Sequence, residues 1–308
     1  MASSQVNIEQ QKRIRETVLD KIAKIDPYTR PFMASIGRKD INGTKPEWTK
    51  QTLEAPSATN KKVHGYTTAF AAANWRARDE DFNYTQLMSK PVAVDLSHEA
   101  VDVAGIPKGG ELPNQKGLKF EALLNDVEYM GVSNNSKTQP LPNQEIAGQS
   151  AGAQTFITTN HIQGGTTAYP EKIVTPQMWT DMQVKIRAQG GKPNKALMGL
   201  QALDTVSGWV KQVTREVGND ARRVTQVVEQ IRGLAGLIDL LYSSALPTVI
   251  LELETGRWEW GWLREPKWYP YPDGISDFHG GDYKAEVSLI AWQEKSSGKV
   301  SGLVGYTV

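Results

Sequence analysis

The sequence has no cysteine. That absence excludes disulfide frameworks, thiolate zinc sites, iron–sulfur clusters and cysteine nucleophiles, and it suits a protein that matures in a reducing compartment. It also has no apolar run near the ~18 residues that a membrane-spanning helix needs. No hydrophobic signal segment follows Met1, whose neighbours Ala2, Ser3, Ser4 and Gln5 lead into charged residues, so a soluble protein without standard export is expected. Excess charge is missing too: 35 basic against 34 acidic residues leave +1, which gives no global field for coating a polyanion. What is present is 308 residues with 39% hydrophobic content, enough for one large domain or two small ones with a real core.

Catalytic patterns are scarce. The histidines His64, His98, His161 and His279 form neither an H-x-x-x-H nor an H-E-x-x-H spacing. Asp79-Glu80-Asp81 lacks the spacing and glycine of a calcium loop, and reads as a solvated acidic patch or a partner for lysines. Gly190-Gly191-Lys192 lacks the earlier glycine and the hydroxyl residue of a phosphate loop, so it reads as a helix stop. No G-x-S-x-G elbow occurs. A hydrolase using Asp79, Glu80 or Asp81 with His98 is the enzyme-class rival, supported by residue types alone. Neither catalytic residue, cofactor nor metal is expected.

The chain opens on helical periodicity. Ile14, Val18, Leu19, Ile22 and Ile25 make the stripe of a helix that holds five basic and three acidic residues between Ile8 and Ile25, and Asp26-Pro27 ends it. From Pro46 to Met88 no helical period persists, and residues 55–62 read as a hairpin tip or open loop. About forty residues with so little to bury are anomalous inside a compact domain. They fit an arm whose partners lie on another subunit. A helix between Gly109 and Met130 follows, with Leu112, Phe120, Leu123, Leu124 and Val127 on one face and Gly131 as its stop. Leu124 is expected in the core, so an aspartate there should abolish folding.

Residues 133–154, rich in Gly, Gln, Ser, Asn and Pro, read as a loop or domain boundary. Thr175-Pro176 start a helix through Met178, Trp179, Met182 and Ile186, closed by Gly190-Gly191. Residues 222–242 fit helix or strands. Residues 248–253 predict a strand and 255–257 a turn, after which Trp258, Trp260 and Trp262 share one face of a second strand. Residues 285–291 and 299–306 predict a further antiparallel pair. The tryptophan face is either core or interface, or a platform for stacking a ligand. A carbohydrate- or receptor-binding β protein using that face is the alternative functional reading.

An ordered series of short motifs remains. Asp26-Pro27-Tyr28-Thr29-Arg30-Pro31-Phe32 is followed by Ile36-Gly37, then Glu47-Trp48 and Leu53, then Asn83-Tyr84-Thr85-Gln86 with Val92 and Val94. Ala100-Val101 and Gly105 lead to Asp126-Val127-Glu128, and the end carries Val249-Ile250-Leu251, Leu253, Trp258, Leu263-Arg264, Gly281-Asp282 and Glu286. Across residues 26–308 this series resembles the major capsid proteins of tailed bacteriophages with the Hong Kong 97-type (HK97-like) fold, in the subgroup with an Asp-Pro-Tyr-x-x-Pro-Phe signature. The chain departs from that pattern at His64 before Gly65, where relatives often carry an acid, and at Leu123-Leu124-Asn125, which replace a basic pair.

The resemblance implies an α+β capsid fold: an N-terminal arm (1–43), an extended loop (44–90), a peripheral domain (91–139) with a spine helix over about 109–130, an axial domain (140–250) and closing strands (251–308) that return to the peripheral domain. It implies a non-enzymatic subunit that self-assembles into an icosahedral or prolate shell around packaged double-stranded DNA. Implied partners are copies of the chain in hexamers, pentamers and neighbouring capsomers, a portal, and scaffolding or decoration proteins. DNA would touch the inner surface weakly, with no membrane involved. The setting would be the virion, assembled in the host bacterial cytoplasm. The implied assembly residues are Asp26, Pro27, Tyr28, Pro31 and Phe32 in the arm, Glu47, Trp48, Leu53, His64, Tyr84 and Gln86 in the loop, and Phe120, Leu124 and Glu128 in the helix.

Overall fold

The computed structural model describes residues 26–66, 78–100, 110–211, 229–234, 236–272 and 277–304, with Val210 and Lys211 described by backbone alone. The helix expected over residues 8–25, and residues 222–228 of the ambiguous segment, lie outside the described residues.

Helix α1 (Pro31–Ser35) leads into strand β1 (Gly37–Asp40). Strands β2 (Glu47–Lys50) and β3 (Asp79–Phe82) pair antiparallel as a separate two-stranded sheet, and β4 (Gln86–Asp95) follows. Next come α2 (Leu96–Ala100), the long α3 (Glu111–Val132), α4 (Ala153–Phe156), β5 (His161–Gln163), α5 (Pro176–Ala188), β6 (Lys195–Met198) and α6 (Leu200–Lys211). The chain continues through β7 (Gln230–Gly233), β8 (Gly236–Tyr242), β9 (Ile250–Leu253), β10 (Trp258–Pro270), β11 (Phe278–Ala291) and β12 (Gly298–Ser301).

One sheet has the order β1-β10-β11-β4, built on the long β10–β11 antiparallel ladder, with β1 parallel to β10. A second has the order β5-β12-β9-β6-β8-β7. Because side chains alternate along a strand, this second sheet feeds two cores. Leu197 of β6 belongs to a cluster with Phe32, Trp48, Leu123, Val127, Trp258 and Trp260. Its neighbours Ala196 and Met198 belong to another, with Met178, Met182 and Ile186 of α5 and Val206 of α6.

Local chemistry explains the clearest helix. Thr175 caps α5 by accepting the Met178 amide at 3.3 Å, and Pro176 occupies the first turn, where a missing N–H costs nothing. At the other end Gly190 takes a positive φ of 84°, and the amides of Gly190 and Gly191 return to the carbonyls of Arg187 and Ile186. The Gly190-Gly191 pair is thus a helix stop.

Several sequence readings change. Gly131 does not end α3, which runs on to Val132. The buried stripe of α3 holds Leu123, Val127, Glu128, Met130 and Gly131, while Leu124 is half-buried; the core leucine is Leu123, so the expected loss of folding belongs to an aspartate at Leu123. The ambiguous segment is a β7–β8 antiparallel pair where described, turning between Gly233 and Gly236. The predicted pairing of 285–291 with 299–306 does not form: β11 lies between β10 and β4, whereas β12 runs parallel to β5 and antiparallel to β9. Local pattern marks a strand but does not choose its partner. Trp258, Trp260 and Trp262 are 0%, 0% and 3% exposed, so the tryptophan face is core and offers nothing to a carbohydrate or receptor.

Candidate assembly interface

The Asp26-to-Phe32 signature folds into a joint between the leading segment and α3. Asp26 accepts the Tyr28 amide at 3.0 Å in a tight local turn, leaving Asp26 and Pro27 exposed. The half-exposed Tyr28 ring stands edge-on to Tyr129 of α3, with centroids 6.2 Å apart. Pro31 supplies the first position of α1, and Phe32 is fully buried, edge-on to Trp260 at 5.5 Å and to Trp258 at 6.4 Å.

Glu128 closes this joint from the facing helix. Its two carboxylate oxygens accept the backbone amides of Phe32 at 2.9 Å and Met33 at 2.7 Å, doing for α1 what a capping side chain usually does from within the chain. Burial pushes the Glu128 carboxyl up to about 7, against the pull of the Met33 and Phe32 amides and of Arg30. Arg30 itself pairs with Glu121 of α3 at 2.5 Å.

A second joint roots the extended segment. Trp48 of β2 is buried against Phe156, with ring centroids 5.9 Å apart. The ladder from β2 to β3 continues through Asn83 N to Pro46 O and Thr85 N to Thr44 O. Gln86 accepts the Ser150 amide at 3.3 Å, the half-buried Tyr84 packs edge-on to Phe82, and Thr85 donates to Glu286 at 2.7 Å. Asn83, which sequence reasoning placed in a motif without giving it a task, is wholly buried and bonded to three stretches of chain. An asparagine between aromatic residues was the available signal.

Beyond that root the chain leaves the body. Every residue from 51 to 66 is exposed, Leu53 at 92% and Val63 at 79%. His64 is exposed within this segment, ahead of Gly65, whose φ is +78°. Glu47, also exposed, pairs with Lys45 at 2.5 Å. Phe120 is half-buried against Tyr283 at 5.5 Å, and Leu124 sits half-buried on the same helix. The structure therefore gathers Tyr28, Pro31, Phe32 and Glu128 at one joint and Trp48, Tyr84 and Gln86 at another. Asp26, Pro27, Glu47, Leu53 and His64 remain on open surface.

The acidic run is a structural feature of the loop root. Burial opposes ionisation of Asp81, but Lys50 at 2.6 Å and Lys137 at 3.3 Å hold its carboxyl below the ordinary value. His98 lies exposed in α2, and its neighbour Glu99 pairs with His279 at 3.2 Å. Among the described residues no group of three potential ligands could hold a metal ion.

Two larger sheets, a long helix and a rooted but exposed loop match the HK97-like shell subunits, with which the chain shares its fold over nearly its whole length. The capsid of a native GTA particle is similar to this chain with a TM-score of 0.64 at 10% identity, covering 97% of this chain and 98% of that one. A chain of Gordonia phage Cozz gives 0.64 at 10% identity, covering 99% and 98%. The capsid of cyanophage P-SCSP1u gives 0.61 at 12% identity, covering 93% and 92%. No curated protein matches the sequence. The family model described as SU10 major capsid protein matches residues 2–304, and the chain belongs to that family. It is a structural subunit of a phage capsid, not an enzyme; it self-associates into the shell and forms part of the virion.

Proposed function

We propose that the chain assembles as hexameric and pentameric capsomers of an icosahedral or prolate shell enclosing double-stranded DNA, with residues 1–43 as an arm and 44–90 as a loop that neighbouring copies clasp. Residues 91–139 then serve as the peripheral domain, 140–250 as the axial domain and 251–308 as strands returning to the periphery. The carrying observation is residues 51–66: exposed throughout, bearing Leu53 and Val63, yet rooted by the buried Trp48. Ordering such a segment without burying it brings no return in free energy; contact with sister subunits supplies the missing burial.

A contact of about 2,000 Å² between neighbours is ample for a specific interface, and many modest contacts reinforce one another around a closed shell. The near-zero net charge favours close packing of many copies. The wider partners of this reading are a portal, scaffolding or decoration proteins and weakly held DNA at the inner surface, with assembly in the host bacterial cytoplasm. Electron microscopy of the purified, concentrated chain tests it: shells, hexamers or pentamers are expected, and uniform monomers under all conditions contradict it.

A further inference from the structure

We infer that Asn83 is the positioning residue that fixes the direction in which the β2–β3 hairpin, and with it the extended loop, leaves the body. The inference rests on the reading that the loop engages neighbouring copies, and it adds how an isolated subunit presents that loop in the right direction beforehand.

A two-stranded ribbon has little stability of its own, and among the described residues β2 and β3 pair with no other strand. Trp48 anchors the ribbon by burial, which is non-directional, and Lys137 reaches Asp81 and the Phe82 carbonyl at 3.3 and 3.2 Å from the end of a long flexible stem, which restricts angle weakly. Hydrogen bonds restrict angle as well as distance. The Asn83 amide nitrogen donates among Leu289 O at 2.8 Å, Ser150 Oγ at 3.0 Å and Ala151 O at 3.3 Å. Its oxygen accepts the amides of Ala151 and Tyr84, each at 2.9 Å. Both protons and both lone pairs of the side chain are thereby committed.

The partners are far apart in sequence. Ser150 and Ala151 lie in the segment leading to α4, and Leu289 lies in β11 of the four-stranded sheet. Ser150 Oγ also accepts the Leu289 amide at 3.2 Å, so the two supports are tied to each other as well as to Asn83. The backbone amide of Asn83 meanwhile closes the hairpin onto Pro46. One residue therefore joins the ribbon to two supports that do not move independently. A residue needed only for packing would need no polar atoms, each of which must be satisfied in the core.

The absence of cysteine allows the direction to be measured. Spin labels at Thr49→Cys, exposed on β2, and Gly117→Cys, in open space on α3, report the hairpin-to-body distance in the unassembled subunit. The otherwise unsubstituted chain should give a narrow distribution, and Asn83→Ala one at least twice as wide with shell yield down about tenfold. Ile162→Ala, in the other core, serves as a control for lost stability and should leave the width unchanged. If Asn83→Ala does not fold, Ser150→Ala replaces it and should broaden the distribution less. A broad distribution in the starting chain, or an unchanged width in the folded variant tested, overturns the inference. A broadened distribution with normal shells upholds Asn83 as the positioning residue and instead refutes the clasped-loop reading.

Discussion

Gly131, one residue before the end of α3, lacks a side chain because the indole of Trp260 occupies the space a Cβ would take. The Phe32 ring closes the same gap, at 3.0 Å from that position. An alanine would gain about 1 kcal/mol of helix propensity. Wedging α3 away from β10 and the α1 joint costs more, because an overfilled core loses roughly 1–3 kcal/mol and the buried Trp260 and Phe32 rings must give way. Gly131→Ala should therefore lower the melting temperature, despite the better helix former. Calorimetry showing a rise would remove this contact from the account.

Glu128 stands in for a cap that α1 cannot make, since Arg30 precedes Pro31 with no side-chain cap bond. Truncation to alanine strands the amides of Phe32 and Met33 and opens a void beside them. A loss of about 2–4 kcal/mol is expected from the unpaired donors and the cavity together. Chemical denaturation measures it, and limited proteolysis should cut the Glu128→Ala chain near residues 26–30 faster than the parent.

Two buried carboxyls set a pH dependence. Burial raises Glu252 to about 8, against the pull of the Gln183 amide that donates to it, and raises Glu128 to about 7, against an ordinary value of 4.5. Between pH 4.5 and 8 the folded chain thus holds protons that the unfolded chain has released, so the stability they contribute is complete below about 4.5 and lost as pH rises through 7 and 8. For Glu252 alone the fall from pH 5 to pH 8 is on the order of 3 kcal/mol. Glu252→Gln keeps the oxygen that accepts from Gln183 and removes the titration. Melting curves should show the variant overtaking the parent toward pH 8; parallel profiles would refute the assignment.

Much of the local structure was legible in the sequence. Thr175-Pro176 and Gly190-Gly191 mark the two ends of α5 because capping is a matter of adjacent residues. The polar stretch after Lys50 stands out because it has so little to bury. What stayed hidden depended on distant partners. The period of α3 could not say whether Leu123 or Leu124 faced inward until β4 and β11 lay against it. Gly131 reads as a stop until Trp260 is beside it, and alternating tryptophans look the same whether a strand faces solvent or a core. Asn83 needs Ser150, Ala151 and Leu289 around it before its role is visible.

The central claim is that residues 51–66 serve other copies of the chain and not its own body. Sedimentation of a chain deleted from Gln51 to Thr68 tests it most directly. The account predicts a soluble species that melts cooperatively near the parent temperature and forms no shells. Particles sedimenting like those of the parent would contradict it.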